Sequence, residues 1–126
     1  MADQVVTITQ DSITYPIQKI SWDWLSASDG SVSSTASGSY MGKVVKAILA
    51  SDSGATAPTN LYDVTIEDED GYDVLSGVGA DVTSAATVYL VDPDKCLWVR
   101  SNSLTLKVAN AGAEKGGVVT LYIQRA

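Results

Sequence analysis

Residues 104–124, LTLKVANAGAEKGGVVTLYIQ, carry the pattern that decides the fold. Leu104, Leu106 and Val108 alternate with Thr105 and Lys107, and Val119, Leu121 and Ile123 alternate with Thr120, Tyr122 and Gln124. Successive side chains of a strand point to opposite faces, so a period of two sends one set to a core and the other to water. Asn110-Ala111-Gly112 and Gly116-Gly117 punctuate the runs with turn-forming residues, which predicts an antiparallel pair across residues 110–117.

The same period recurs upstream. Val5, Thr7 and Thr9 oppose Val6 and Ile8; Ile20, Trp22 and Trp24 oppose Ser21 and Asp23; Tyr62, Val64 and Ile66 share a face; Leu97 and Val99 alternate with Trp98 and Arg100. In YMGKVVKAILAS, residues 40–51, the apolar positions also fit helical spacing, but Gly42 weakens a helix by about 1 kcal/mol and a strand is preferred. LYDVTIEDEDGYDVL, residues 61–75, reads as a hairpin whose Asp70-Gly71 supplies the positive φ of the turn. Ser26 to Ser39 hold seven serines in fourteen residues and one apolar side chain larger than alanine, Val32, which predicts a long mobile loop. An all-β chain of six or more strands follows, and 126 residues bound it to one domain with its own core.

Composition removes several functions. With no His, the triads that use it and the Cys/His and HExxH zinc motifs are excluded. A net charge of −7 opposes nucleic-acid phosphates, so no direct nucleic-acid partner is expected; Lys95, Trp98 and Arg100 on one strand are too few to reverse that. The opening MADQVVTITQDSITYP alternates and carries Asp3 and Asp11, so no signal peptide is expected. Val44 to Ala50, broken by Lys46, falls far short of the ~20 apolar residues of a membrane span. Cys96 stands alone, so no intrachain disulfide can form and synthesis in a reducing cytosol is expected.

Charge is segregated along the chain. Residues 47–94 hold ten acids and no Lys or Arg, whereas residues 95–126 hold five basic residues and one acid. The two signs either face each other within the fold or form patches that dock on neighbours. The acidic run fails the EF-hand spacing, leaving a loose cation site at Asp68, Asp70 and Asp73 against the simpler reading of a solvated hairpin tip. Paired carboxylates could serve glycoside hydrolysis, but the acids sit at turn positions and little chain remains for a walled cleft. GKVV at 42–45 and GVGA at 77–80 lack the phosphate-loop frames, and neither a cofactor nor enzymatic activity is expected. Core packing is the default for Trp22, Trp24 and Trp98, but Trp is enriched at protein interfaces, so these three, with Tyr15, Arg100 and Arg125, are also the candidate interface residues.

GATAPTNLYDVTIEDEDGYDVLSGVGADV (54–82), followed by LTLKVANAGAEKGGVVTLYIQR (104–125), resembles the head decoration, or cement, proteins of tailed bacteriophages. APTNLYDV, EDEDGYDVLSG and VANAG followed by GVVTLYI are the most specific pieces, and they occur in the family's order. The resemblance spans residues 38–125 and leaves out the first 37, WDWLSASDGSVSSTAS included. It implies an antiparallel β-sandwich, jelly-roll-like, that binds the outside of an icosahedral shell, bridges major capsid protein subunits and forms homotrimers. Residues 1–37 are then N-terminal strands or an arm with the Ser-rich loop, preceding a sandwich body at 38–126, one domain overall. The alternating segment Ala2 to Pro16 could add a strand to a neighbour's sheet edge. A minor tail, spike or head-fibre component, with tryptophans facing carbohydrate, is the alternative.

Overall fold

The computed structural model describes residues 3–11, 17–77, 79–83, 88–90 and 98–124. In Ile17–Leu25 (β2), Gln18, Ile20, Trp22 and Trp24 turn inward while Lys19 and Asp23 stay in solvent, as the alternation requires. Val5–Asp11 (β1) pairs with one edge of β2, Ile8 opposite Trp22. Gly116–Gln124 (β7) pairs with the other edge, Trp24 opposite Gly117. Asp63–Glu67 (β4) lies beside Trp98–Ala109 (β6), Ile66 opposite Leu106. Val32–Ser51 (β3) joins the two groups, giving the order β1-β2-β7-β3-β6-β4, with the short Val88–Leu90 (β5) on β3. The fold is all-β, and every one of these pairings is antiparallel.

The geometry turns on β3. Its 20 residues would span on the order of 65 Å if straight. Yet Ala111 N–H donates to the Gly30 carbonyl just before its start, and Asp52 N–H donates to the Gly116 carbonyl just after its end. The stretch from Ala111 to Gly116 reaches at most about 20 Å, so β3 must double back on itself. Its first half, from Val32 opposite Val108 to Lys43 opposite Trp98, pairs with β6; its second half, from Lys43 opposite Gln124 to Ser51 opposite Gly117, pairs with β7. Between them lie a bulge at Ser37–Tyr40, Gly42 at φ 134°, and a second irregularity at Val44–Lys46. Extra residues of this kind bend and twist a strand locally.

Both halves enclose one core, which draws Trp22, Trp24, Leu121 and Ile123 from one side and Ile66, Leu104, Leu106 and Val108 from the other. Trp24 packs obliquely on Tyr62, ring centroids 5.7 Å apart. Its ring lies so close to Gly117 that a Cβ there would sit 3.0 Å from Trp24 Cζ2 and 2.5 Å from the Ala50 carbonyl oxygen.

The first half of β3 has β6 on one edge only, and glutamine side chains close the other. Gln4 Nε2 donates to the Ser33 carbonyl and Gln4 Oε1 accepts from Ser33 N–H, both at 2.7 Å. Gln18 repeats the arrangement, donating to the Ser39 carbonyl at 2.8 Å and accepting from Met41 N–H at 3.4 Å. Gln10 donates to the Ser37 carbonyl at 3.3 Å and accepts from the Tyr40 hydroxyl at 2.6 Å. A primary amide offers the donor and acceptor of a peptide group, so these side chains stand in for a missing strand.

Several expectations change. The Ser-rich segment is not a long loop: residues 26–31 form a turn, with Asp29 Oδ1 accepting from Ser31 N–H and hydroxyl, and residues 32–39 are strand. Backbone pairing to β6 and the glutamine amides hold it, while Val32, Ala36 and Tyr40 supply its few core contacts. The boundary expected between residues 37 and 38 therefore falls inside β3. Of the strands or arm expected at the N-terminus, the described residues form strands, β1 making a full ladder with β2 of its own chain. Nor do β6 and β7 form a hairpin: β3 lies between them, and residues 110–115 cross from one half of the sheet to the other. The strand at 40–51 is present, and the 68–71 turn is present with Gly71 at φ 85°, but its second arm is a single bridge, Glu67 to Asp73, followed by further turns.

If the amides close the sheet, Gln18→Ala, at a position only 4% exposed, lowers unfolding free energy by about 1–3 kcal/mol because the Ser39 and Met41 backbone groups lose their partner. Urea denaturation measures it; an unchanged midpoint would remove the seam from the list of stabilising features.

Candidate functional site

The carboxylates are built into the loops. Asp68 Oδ1 accepts from Asp70 N–H at 2.9 Å and Tyr72 N–H at 3.0 Å. Asp73 accepts from Ile66, Leu75 and Gly77 N–H groups at 2.9–3.1 Å. Asp63 accepts from Asp81 N–H and the Asn110 side chain, each at 3.0 Å, and Asp52 accepts from the Thr56 hydroxyl at 3.1 Å. Hydrogen bonds from Ser31 hold the Asp29 carboxyl below its ordinary value. Asp29, Asp63, Asp68 and Asp73 thus satisfy backbone donors, while Asp52 accepts from a side-chain hydroxyl. Among the described residues, no group of three or more His, Cys, Asp or Glu converges in a way that could hold a metal. Of the segregated charges, Lys107 pairs with Glu67 at 3.2 Å, so part of the opposition is met within the sheet.

Two of the most specific sequence pieces, APTNLYDV and VANAG, meet at one corner. Thr59 N–H donates to the Ala111 carbonyl at 2.8 Å, Leu61 N–H to Val82 at 2.9 Å and Val64 N–H to Gly79 at 2.8 Å. With the Asn110–Asp63 bond, APTNLYDV and VANAG are fastened together across the sequence. Ser26 joins them, its hydroxyl donating to the Gly112 carbonyl at 2.6 Å and accepting from Lys115 N–H at 2.9 Å. These motifs build the crossing that ties the two ends of β3.

The candidate interface residues separate into three groups. Trp22 and Trp24 are core, not surface, at 0% and 2% exposure. Their indole N–H groups find no acceptor. An unpaired donor costs about 1–3 kcal/mol, whereas burying an indole gains roughly 4–6 kcal/mol from its area, so burial wins. Tyr15 and Arg125 lie outside the described residues, as do Lys95 and Cys96. Trp98 and Arg100 stand together on the outer face of β6, flanking the buried Val99. Opposite them on β3 are Lys43 and Met41, flanking the buried Gly42. Trp98 is 67% and Met41 55% exposed. A groove of about 480 Å³ opens alongside, lined by Met41, Glu69, Arg100 and Asn102 among others. Sequence reasoning missed Met41, Lys43 and Glu69. Alternation around Gly42 places the first two on one face, but only the β3–β6 register brings that face to Trp98.

No helix among the described residues is long and apolar enough to cross a membrane. No protein-family model, no curated protein and no solved structure matches the chain.

Two outcomes follow. Trp22→Ala costs about 3–5 kcal/mol while Trp98→Ala stays within about 0.5 kcal/mol of the parent, by urea denaturation; equal losses would place both indoles in the core. Burial pushes the Tyr40 and Tyr62 hydroxyls above their ordinary 10.0. The folded state then holds these protons more tightly than the unfolded chain, so their contribution is complete below the unfolded value and is lost as pH rises through the native values. The urea midpoint falls above about pH 10, and less steeply in Tyr62→Phe; a midpoint flat to pH 11.5 would contradict it.

Proposed function

We propose that this protein decorates the exterior of a tailed-bacteriophage head and cements it by bridging major capsid protein subunits, with no cofactor and no catalysis. The observation that carries the reading is the corner just described: APTNLYDV and VANAG, two of the pieces that resemble the decoration family, meet there as one hydrogen-bonded structure. Residues shared for architecture, not for a reacting site, suit a mechanical role. The carboxylates held by backbone donors favour the same conclusion over paired-acid hydrolysis. The doubling back of β3 supports the finer reading of the sheet as a jelly-roll-like β-sandwich, and assembly as homotrimers belongs with it.

A shell that must resist internal pressure gains from many modest contacts repeated by symmetry, because each adds buried interface between neighbours. A rigid β-domain meets that need. Burial of Trp22 and Trp24 leaves Trp98 as the tryptophan exposed among the three, which weakens the alternative of a carbohydrate-stacking tail or fibre component.

The molar ratio of this protein to the major capsid protein in gradient-purified particles, by quantitative mass spectrometry, tests the proposal. A ratio near one supports cementing. A handful of copies per particle places the chain in a tail or fibre, and absence from particles overturns the virion reading.

A further inference from the structure

The outer face formed by Trp98, Arg100, Met41 and Lys43 combines two large apolar side chains with two cations. Beside it lies its chemical complement. Glu69 N–H donates to the Ser101 hydroxyl at 3.0 Å and Glu69 Oε2 accepts from Asn102 N–H at 3.4 Å, which fixes the Asp68–Tyr72 hairpin next to the residues that follow Arg100. That hairpin carries three consecutive acids and ends on Tyr72, 66% exposed. Each molecule thus displays an apolar, cationic face and an apolar, anionic hairpin, neither covered by the described residues of its own chain.

We propose that the Trp98 face is covered by the Asp68–Tyr72 hairpin of a second copy of this chain. Tyr72 packs against Trp98 and Met41, and the Glu69 and Asp70 carboxylates face Arg100 and Lys43. Aromatic and arginine side chains are the usual anchors of such contacts, and thioethers pack well on rings. Opposite charge selects the partner: a chain of net charge −7 repels copies of itself unless its few cations meet its acids. This contact rests on the homotrimer part of the proposed function, for which it supplies a surface, but it needs no shell and is tested apart from cementing.

The test is sedimentation equilibrium and native mass spectrometry of the full chain alone. The parent self-associates, less so as ionic strength rises from about 0.01 to 1 M. Arg100→Glu and Asp70→Lys each weaken association at least about tenfold, and an equimolar mixture of the two recovers species containing both chains. Both sites are exposed, and the turn is held by Asp68, not by the Asp70 carboxylate, so near-ultraviolet circular dichroism should show both variants folded. A monomeric parent, variants that associate like the parent, or a mixture that recovers nothing would each overturn the contact. A monomer that still decorates particles would leave cementing intact, and a self-associating chain missing from particles would do the reverse.

Discussion

One strand serving two partners is the constraint from which the rest of the molecule follows. β3 pairs with β6 through its first half and with β7 through its second, so its path sets the relation between the two groups of strands. Because it doubles back, both groups can press their apolar faces onto one core. Doubling back also strips a strand partner from one edge of its first half, and unpaired backbone groups are costly wherever water is kept away. Gln4 just before β1, Gln10 on β1 and Gln18 on β2 answer that need.

The electrostatics follow the same economy. An acidic chain invites thoughts of cations or acid–base chemistry, yet Asp63, Asp68 and Asp73 accept hydrogen bonds from backbone amides in turns. A carboxylate that accepts two or three such bonds organises several residues of loop at once. Between β3 and residue 83, the acids Asp52, Asp68, Glu69, Asp70, Asp73 and Asp81 therefore fall on irregular backbone, and Asp63 and Glu67 at the two ends of β4.

Where burial imposes a period, the strands were legible in the sequence. Ile20, Trp22 and Trp24 could be read directly, because one face of β2 is core and the other is not. Ser33 to Ser39 could not, since what holds them is backbone pairing and glutamine amides from distant segments, neither of which leaves an apolar pattern locally. The separation of β6 from β7 was hidden for a related reason: turn residues at 110–117 look alike whether a chain returns to its neighbour or crosses to another part of the sheet. Half of the exposed face was legible as well, in Trp98 and Arg100. Met41 and Lys43 joined it only through a register set by bulges, whereas residue type alone made Trp22 and Trp24 interface candidates, against an alternation that places them in the core.

The pairing of β2 with β7 has a bearing on how the chain is made. Ile17 lies opposite Gln124, so β2 waits for a partner about a hundred residues downstream. At synthesis rates of about 5–20 residues per second, the Trp22 and Trp24 face spends roughly 5–20 s outside the ribosome before β7 can cover it. During that time β1 is its available local partner, and a two-stranded ribbon is at best marginally stable in water. Rapid expression therefore sets a kinetic contest between β7 and the same strands of other nascent chains, and slower translation or lower temperature favours the native pairing.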